Sequence, residues 1–403
     1  MLALRLYRLL GQGLEPFIAR KLCPSRRGEL PRATLWLHAA SVGEAGVAAA
    51  IIKALREKNP SLTILLTLQT ETGLKKAREL LGGEKIALAP LDCPGFVARA
   101  FENVRPQVLA LIETELWPNL ISSARKFGVK ILLLNGRLSQ KSLKRYLLFK
   151  NFWAGLLNHF EAIGVIGPKE AERFLKLGAP EEKIRILGNA KYDLLRERSQ
   201  KISTGEIKAL LDTGRLITFG SVRSGEEKQV VEATRLLLNT FPTLTVALVP
   251  RHLSLVKRLK RWLTSYGLPY ALWSRKEKAP VIIVDEIGPL LSFYAASYAA
   301  FVGGSLIPKG GQNPLEPAAF KRPVIFGPHL TNFPYEAKAL KERLGEEIVV
   351  RNAQEIFAQF SSFLRDEPKT KALGERAYAV FESFVGASKR YASLLSRFLI
   401  PPP

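Results

Sequence analysis

The chain has 403 residues, 47% of them hydrophobic and 24% charged, which excludes a disordered polymer and predicts two domains of roughly 150–200 residues each. Sixty Lys and Arg against 36 Asp and Glu leave a net charge of +24, which favours nucleic acid, a phospholipid surface or phosphorylated small molecules as partners. Two cysteines exclude a disulfide scaffold and favour a reducing compartment. The four histidines are widely spaced and no Cys/His cluster occurs, so we expect no metal site.

The N-terminal segment, residues 1–25, places apolar side chains at helical spacing and interleaves them with arginine and lysine. Its apolar runs are shorter than the roughly 18 uncharged residues of a spanning helix, so we do not expect it to cross a membrane. Arg5 and Arg8 interrupt the apolar part and no small-residue cleavage pattern follows, so we expect no secretory signal. Two interpretations stay open: a basic amphipathic helix in a membrane interface, and a helix packed on its own domain.

Apolar strand patterns alternate along the chain with helix-periodic segments such as 46–58 and 74–81. Such alternation predicts parallel sheets covered by helices on both faces. The predicted strands form two series: residues 34–38, 63–67, 86–89, 108–112, 131–134 and 162–166, then residues 216–219, 245–249, 281–284, 298–302 and 324–326. We expect an α/β fold of two doubly wound, Rossmann-like domains that face each other across a cleft and bind ligands beyond the carboxyl ends of their strands.

The remaining segments suggest where the domains begin and end. Residues 287–308 carry no charge, but their glycines, prolines and serines predict a short helix, a buried strand and a turn of the core instead of a membrane span. Residues 188–214 are polar and rich in Lys, Arg and Ser, and we expect them to connect the domains. The expected organisation is an N-terminal helix at 1–25, domains at 26–190 and 191–385, and a C-terminal helix and tail at 386–403.

The loop after the first predicted strand carries the sequence HAASVGEAG at 38–46, with Ser41, Gly43 and Glu44 near the start of a helix. Ser41-x-x-Glu44 is the pattern of a capping box, in which both side chains pair with free backbone N–H groups. The alternative is that Glu44 faces the cleft as a general base, which takes a proton from an attacking hydroxyl. In that case we expect the helix dipole to keep the carboxylate ionised near neutral pH.

Two more carboxylates, Glu113 and Glu115, follow the fourth predicted strand and are placed to reach a cleft, although capping or pairing with a basic residue explains them equally well. Residues 116–160 then contain eight Lys or Arg, no Asp or Glu, and interleaved aromatic residues. A charge run usually forms a solvated helix face, but a soluble helix normally mixes both signs. The one-sided charge favours an anionic head group or a nucleic acid backbone as partner.

Loops of the second predicted domain have phosphate-binding character. Residues 220–227 (GSVRSGEE) run from a strand into a helix start, a place where backbone N–H groups can bind phosphate. The pattern Ser224-x-x-Glu227 in this loop also fits a capping box. Pro250 and Arg251 end the next strand, and a guanidinium there suits a phosphate.

The loop FVGGSLIPKGGQNPLE at 301–316 is the most informative of all. Its last residues predict a helix start with Asn313 as N-cap, Pro314 in the first helical position and Glu316 in the third. Its four glycines have no packing role evident from the sequence, so they favour close approach of the backbone to a ligand, with Glu316 accepting the hydroxyls of a ribose. A Walker motif is absent and no G-x-G-x-x-G follows the first strand, which argues against a dinucleotide oxidoreductase, and we expect no cofactor.

Seven motifs in the chain resemble, in the same order, those of one family, the Kdo (3-deoxy-D-manno-oct-2-ulosonic acid) transferases of lipopolysaccharide synthesis. They are HAASVGE (38–44), ETELWPN (113–119), NGRLS (135–139), GNAKYD (188–193), GEE (225–227), VPRH (249–252) and the loop at 301–316. The resemblance spans most of the chain and implies a GT-B glycosyltransferase without a divalent metal. It implies inverting transfer of Kdo from CMP-Kdo to the glucosamine disaccharide of a lipid A precursor (lipid IVA) at the cytoplasmic face of the inner membrane.

Taken position by position, the resemblance identifies Glu44 with the family's general base. It places contacts to CMP in three stretches of the second domain: Pro250 and Arg251; Ile287, Gly288 and Pro289; and Asn313, Pro314, Leu315 and Glu316. The family often has Gly-Glu where Gly288-Pro289 stands, so only backbone contacts are expected at position 289. Further candidates for contact with the acceptor or a phosphate are Ser41, Gly43, Glu115, Arg137 and Arg223. We expect the acceptor and the base in the first domain and CMP-Kdo in the second.

Three other interpretations stay open from the sequence. The net charge alone suits a nucleic-acid-binding protein, but no basic–aromatic motif of a known module occurs, so we expect no nucleic acid partner. The fold suits another GT-B sugar-nucleotide enzyme, either an epimerase or a transferase with a different donor. A membrane-peripheral scaffold without activity would need neither Glu44 nor Glu316.

Overall fold

The computed structural model describes residues 2–211 and 215–400 of the chain. Met1, residues 212–214 at the end of the expected connection and residues 401–403 at the end of the expected tail lie outside the described residues. The chain divides into two compact units: the first comprises Met1–Leu194 and Phe384–Pro403, and the second comprises Leu195–Ser383. Each unit contains one sheet.

The sheet of the first unit is parallel and has seven strands among the described residues. The strands are β1 Leu35–Ala39, β2 Ile64–Leu68, β3 Lys85–Leu88, β4 Val108–Ile112, β5 Lys130–Gly136, β6 Phe160–Val165 and β7 Ile184–Ile186. Their order across the sheet is β3-β2-β1-β4-β5-β6-β7. Strands β1, β2 and β4 are buried along their whole length, which explains why their sequences are continuously apolar.

The sheet of the second unit is also parallel and has six strands among the described residues. The strands are β8 Leu216–Val222, β9 Thr245–Pro250, β10 Tyr270–Leu272, β11 Val281–Ile283, β12 Ala299–Val302 and β13 Val324–Phe326. Their order is β10-β11-β9-β8-β12-β13.

Helices connect most of the strands in both units, because parallel neighbours need a crossover connection. In chain order they are α1 Leu2–Ile18, α2 Val42–Arg56, α3 Glu71–Leu80, α4 Pro94–Val104, α5 Pro118–Lys126, α6 Gln140–Leu147, α7 Lys150–Leu157, α8 Pro168–Leu177, α9 Lys191–Ser199, α10 Gly205–Ala209, α11 Glu227–Thr240, α12 Val256–Ser265, α13 Leu290–Ala296, α14 Leu315–Ala318, α15 Pro334–Leu344, α16 Ala353–Arg365, α17 Glu367–Phe384 and α18 Ala387–Ser396. Short 3-10 helices lie at Ala19–Lys21, Pro24–Arg27, Glu181–Lys183, Leu253–Leu255, Trp273–Arg275 and Glu346–Ile348.

The strand order reverses at one place in each sheet. In the first sheet the chain runs from β1 outward to β2 and β3, and then places β4 on the other side of β1. In the second sheet it runs from β8 through β9, β10 and β11 on one side, and then places β12 on the other side of β8. Doubly wound sheets bind ligands in the crevice that opens at such a reversal. The loops after β1 and β4, and those after β8 and β12, are therefore where functional residues are expected.

The C-terminal helix α18 completes the core of the first unit. Tyr391 and Leu395 of α18 are fully buried and pack in one cluster with the apolar residues of α2 and of the first sheet. Asp193 accepts the backbone N–H groups of Gly386 and Ser388 at 2.6 and 2.8 Å, which fixes the start of α18. Residues 386–400 are thus part of the first unit, although they lie at the far end of the chain.

Helix α1 packs on the first unit through one face and exposes apolar side chains on another. On the packed face, the hydroxyl of Tyr7 donates to Asp92 at 3.0 Å, and Glu15 accepts the backbone N–H of Gly95 at the start of α4 at 2.6 Å. Elsewhere on the helix Leu9, Leu10, Leu14 and Phe17 are 55–80% exposed. The helix is docked on its own unit, and its described residues also include exposed apolar side chains.

Most predicted elements are confirmed, with ends that differ by one to three residues. All eleven predicted strands are present, and residues 290–302 form the predicted helix and buried strand. The three-residue strands β7 and β10 were missed because each is at the edge of its sheet and contains partly exposed positions. The expected connection at 188–214 contains helices α9 and α10 in its described part. No helix among the described residues has the length and hydropathy needed to span a membrane.

Candidate functional site

Glu44 lies in the first turn of α2, directly after the buried strand β1. Its carboxylate turns back over the start of the helix, where Oε2 accepts the backbone N–H of Ala40 at 2.8 Å and Oε1 accepts the hydroxyl of Ser41 at 3.0 Å. The Ser41 hydroxyl also accepts the backbone N–H of Glu44 at 3.4 Å, so Ser41 caps the helix as the sequence predicted. The two sequence interpretations are therefore compatible, because the capping contacts themselves hold the carboxylate at the end of the strand.

The pKa of Glu44 is raised to about 7, mainly by burial, and the nearby carboxylates of Glu115 and Glu113 contribute in the same direction. The hydrogen bonds from Ala40 and Ser41 act in the opposite direction. Glu44 is therefore only about half ionised at neutral pH, less than the helix dipole alone predicted. The desolvation of a group that is 9% exposed outweighs the partial positive charge at the helix N-terminus. A carboxylate with a pKa near 7 is matched to proton transfer at neutral pH.

Glu115 is the second carboxylate of this site. Its Oε2 accepts the indole N–H of Trp117 at 2.8 Å and lies 3.8 Å from Nε2 of His38. Burial raises the pKa of Glu115, and the neighbouring Glu113 raises it further. Burial also lowers the pKa of His38 to about 3, so this histidine is neutral and does not form an ion pair with Glu115.

Glu113 and the loops around it form a hydrogen-bonded network in the first unit. Glu113 has φ +57°, a strained left-handed conformation for a residue other than glycine, and its carboxylate pairs with Lys191 at 2.6 Å. Asn135 also has positive φ, and its side chain accepts the backbone N–H of Ala190 at 2.9 Å. Residues from the motifs at 113–119, 135–139 and 188–193 are thus brought together at one edge of the sheet.

The other candidate residues of the first unit are exposed to solvent and follow strands β1 and β5. Ser41 and Gly43 are exposed at the start of α2, and the residue Arg137 is exposed after β5. The hydroxyl of Thr114 donates to the backbone carbonyl of Arg137, which ties the loops after β4 and β5 together.

An apolar cavity of about 500 Å³ opens beside Glu115. Helix α1, the loop after β4 and helices α6 and α7 contribute its walls, and most of the wall is aromatic. Residues that line it include Tyr7, Trp117, Tyr146, Phe149, Phe152 and Trp153. Basic residues of the neighbouring helices, Lys144, Arg145 and Lys150, are exposed. The predicted basic and aromatic stretch at 116–160 therefore forms an apolar pocket with exposed cations nearby.

In the second unit, the loop after β8 does not form the expected capping box. Helix α11 begins at Glu227, one residue after its N-cap Glu226, and the hydroxyl of Ser224 instead accepts a hydrogen bond from Arg258 at 2.6 Å. The capping alternative is wrong because Glu226 closes the turn instead: its carboxylate accepts the backbone N–H of Arg223 at 2.9 Å. Arg223 is half-buried, and its Nε has no partner among the described residues.

The glycines of the loop after β12 have packing roles, contrary to the sequence interpretation. A Cβ at Gly303 would lie 2.7 Å from the carbonyl oxygen of Ser221, so only glycine allows β12 and β8 to approach here. Gly304 adopts φ +70°, and the side chain of Arg223 packs over it. Neighbouring backbone and side chains therefore explain these glycines without a ligand.

The donor candidates Asn313–Glu316 form the start of α14, with N-cap Pro314 one residue later than predicted. The side chain of Asn313 accepts the backbone N–H of Leu315 at 3.1 Å, and Leu315 itself is fully buried. Burial raises the pKa of Glu316 to about 7, while Arg251 and Arg198 act to lower it. Pro250 is buried at the end of β9, and Arg251 follows it as an exposed residue. Both guanidinium groups act electrostatically on this carboxylate, and we call the three groups the charged cluster.

The remaining candidates lie just before α13. Ile287 is 89% exposed, which is unusual for isoleucine, and Pro289 is the N-cap of the helix. Gly288 has φ +122°, a conformation that only glycine adopts without strain. Helix α13 contacts α14, so this segment and the charged cluster belong to neighbouring elements of the second unit.

Sequence reasoning missed two residues that the structure brings to these sites. Lys191 pairs with Glu113 across 78 positions of sequence, and Tyr294 lies fully buried with its hydroxyl near Glu316 and against Gly220. The hydroxyl of Tyr294 has no partner among the described residues. Neither contact has a local sequence signal, because the partners are distant in the chain. The described residues contain no group of three or more His, Cys, Asp or Glu arranged to hold a metal ion.

Known proteins resemble this chain in sequence over most of its length. The family model described as 3-deoxy-D-manno-octulosonic-acid transferase (kdotransferase) matches residues 17–194. A curated 3-deoxy-D-manno-octulosonic acid transferase of Haemophilus influenzae is 32% identical over 389 residues, which cover 95% of this chain and 90% of that protein. The transferase of Chlamydia muridarum is 31% identical over 362 residues, 88% of this chain and 83% of that protein.

Solved structures with low sequence identity share the fold. The structure of UDP-GlcNAc 2-epimerase from Neisseria meningitidis aligns with a TM-score of 0.63 over 91% of this chain and 99% of that one, at 13% identity. At this identity the similarity shows the fold alone. The chain thus has the GT-B fold that the sequence predicted, with two Rossmann-like units.

Proposed function

Because the chain belongs to the family of 3-deoxy-D-manno-octulosonic acid (Kdo) transferases, we propose that it transfers Kdo from CMP-Kdo, with inversion, to the glucosamine disaccharide of a lipid A precursor. Family membership makes the chain a glycosyltransferase of lipopolysaccharide biosynthesis. The observation that carries the proposal is the buried carboxylate of Glu44, whose pKa of about 7 suits a general base at neutral pH.

We propose that Glu44 removes the proton from the acceptor hydroxyl as that oxygen bonds to the anomeric carbon of Kdo. The hydrogen bonds from Ala40 and Ser41 fix the carboxylate before the acceptor arrives, so little reorganisation is needed. The departing CMP is already an anion and needs positive charge, not a proton. Accordingly the proposed mechanism has a general base and no general acid.

We propose that the second unit binds the nucleotide of CMP-Kdo. Arg251 supplies fixed positive charge for the phosphate, and the nearby carboxylate of Glu316 accepts the ribose hydroxyls. Main-chain contacts to CMP around this cluster come from Pro250, Asn313, Pro314 and Leu315. A third stretch in contact with CMP comprises Ile287, Gly288 and Pro289. Arg223 is a candidate for a further contact to the donor, because its Nε is buried without a partner among the described residues.

The two glutamates should lose different functions when they are changed. Glu44→Gln keeps the shape but removes the base, so we expect the turnover number to fall by about 10²–10⁴-fold with little change in the Kd for CMP. Glu316→Gln removes a charged acceptor of ribose hydroxyls, so we expect the Kd for CMP to rise about tenfold. Product mass after incubation with CMP-Kdo and a tetraacylated lipid A precursor measures turnover, and calorimetry measures CMP binding.

Glu71→Gln is the matched control, because Glu71 is an exposed carboxylate in the first turn of α3 in the same unit as Glu44. We expect the control to change neither quantity. Unchanged turnover in Glu44→Gln would remove the base assignment, and unchanged CMP affinity in Glu316→Gln would remove the ribose assignment.

We propose that the aromatic cavity beside Glu115 receives an acyl chain of the acceptor. Its volume of about 500 Å³ falls in the range of roughly 300–1,000 Å³ that is usual for ligand pockets. The aromatic walls suit a hydrocarbon chain, and the exposed cations of α6 and α7 suit the phosphates of a lipid A precursor. Because Glu115 both lines the cavity and acts electrostatically on Glu44, an acceptor held here has its sugar near the base.

Removing part of the cavity wall should impair only acylated acceptors. For Phe152→Ala we expect the KM for the tetraacylated acceptor to rise about tenfold, because an aromatic contact with the chain is lost. The KM for a fully deacylated disaccharide acceptor should stay unchanged. Phe127→Ala is the control, because Phe127 is a 41% exposed aromatic residue of the same unit outside the cavity. An equal rise of KM for both acceptors would contradict the acyl-chain assignment.

We propose that the protein acts at the cytoplasmic face of the inner membrane, held there by α1. Leu9, Leu10, Leu14 and Phe17 offer an apolar surface, while Tyr7 and Glu15 keep the helix docked on its unit. Arg5 and Arg20 are exposed on the same segment, and cations near apolar side chains favour an anionic lipid surface.

Replacing the four exposed apolar residues of α1 by serine should release the full chain from lipid. We expect at least a tenfold loss of binding to vesicles that contain anionic phospholipid, measured by sedimentation, because about four side chains no longer enter the interface. The control replaces Leu175 and Ile186, exposed apolar residues elsewhere on the first unit, by serine. Binding of the α1 variant that equals the wild type would refute the membrane role of this helix.

A further inference from the structure

Glu226 is a fully buried carboxylate at the strand reversal of the second sheet. Its Oε2 accepts the backbone N–H groups of Arg223 at 2.9 Å and Gly304 at 2.6 Å. Its Oε1 accepts those of Ser305 and Leu306, each at 2.9 Å. A carboxylate has about four lone-pair positions for such bonds, so this one is fully occupied.

These four hydrogen bonds join the loops after β8 and β12, which lie at the reversal of the strand order where ligands are expected to bind. Arg223 belongs to the loop after β8, and residues 304–306 form the turn after the neighbouring strand β12. Three successive N–H groups that converge on one point form the concave arrangement that binds anions in many proteins. Here the protein supplies the anion itself, because without Glu226 these buried donors would be left unpaired.

The turn held by Glu226 is connected to the donor candidates further along the chain. The carbonyl of Gly304 accepts the backbone N–H of Gly311 at 2.9 Å, and Asn313–Glu316 follow directly. On its other side the turn is fixed by Ser305, whose hydroxyl donates to Val302 at 2.6 Å and accepts from Gly327 at 2.8 Å. A shift of the turn would therefore move the start of α14, where Glu316 lies.

We propose that Glu226 is a positioning residue that fixes the conformation of the 304–306 turn for binding of the donor. Because its carboxylate occupies the three backbone N–H groups of this turn, the donor phosphate binds elsewhere. The effect on donor binding rests on the proposed function. The hydrogen bonds between Glu226 and the turn do not depend on that function, so the two parts of the proposal are tested separately.

The experiment compares Glu226→Gln with Glu227→Gln in the full-length protein. A glutamine at 226 has one acceptor oxygen and must turn its NH₂ group toward two backbone donors, so about half of the bonds are lost. Glu227 is the matched control, because it is equally buried and adjacent, but it accepts from Gly225 and pairs with Arg258 instead of reaching the turn. Amide hydrogen exchange at 304–306 without ligand and the Kd for CMP are measured for both.

We expect Glu226→Gln to raise the exchange rate at 304–306 and the Kd for CMP by about tenfold each, and Glu227→Gln to change neither. Glu226→Asp keeps the charge but is one methylene shorter, so it should show the same two changes if the glutamine variant does not fold. Unchanged exchange, or faster exchange with unchanged CMP affinity, would overturn the proposal. A wild-type protein that binds no CMP would contradict the proposed donor, and the exchange measurement would still decide whether Glu226 holds the turn.

Discussion

The burial of a carboxylate at the end of β1 is the constraint on which the site depends. Glu44 keeps its position through two hydrogen bonds, yet desolvation and two neighbouring glutamates raise its pKa from 4.5 to about 7. Because the folded state then holds a proton that the unfolded state has lost, this group removes stability as the pH rises from about 4.5 to about 7. The fold tolerates the cost because a large shared core surrounds β1, α2 and α18.

Each unit has a buried glutamate at the reversal of its strand order, but the two glutamates differ in their hydrogen bonding. At the reversal of the first sheet, Glu44 accepts hydrogen bonds from two groups among the described residues and has a raised pKa, which suits the proposed role as a base. At the reversal of the second sheet, Glu226 has four backbone donors and is fully committed to structure. In the proposed mechanism, the number of N–H and O–H groups that donate to each carboxylate therefore separates the base from the positioning residue.

Sequence reasoning recovered the parts of the molecule that have local signals. Continuous apolar runs identified the buried strands, and the serine and glutamate of residues 41–44 identified the start of α2. It failed to predict the raised pKa of Glu44, which depends first on burial and then on Glu115 and Glu113, about 70 residues away in the sequence. It misread the glycines at 303 and 304 because the atoms that they contact belong to residues 221 and 223 of another strand and loop. The capping pattern at Ser224 failed for a related reason, since Glu226 bonds to a distant turn.

The pH dependence of the turnover number, measured with both substrates saturating, tests the role of the buried base most directly. Saturation with the donor removes the influence of Glu316, whose pKa is also about 7, on nucleotide binding. Because the base must be deprotonated, the turnover number should fall about tenfold per pH unit below about 7 and level off above it. A turnover number that stays constant from about pH 5 to about pH 8 would contradict the assignment of Glu44 as a base tuned by burial.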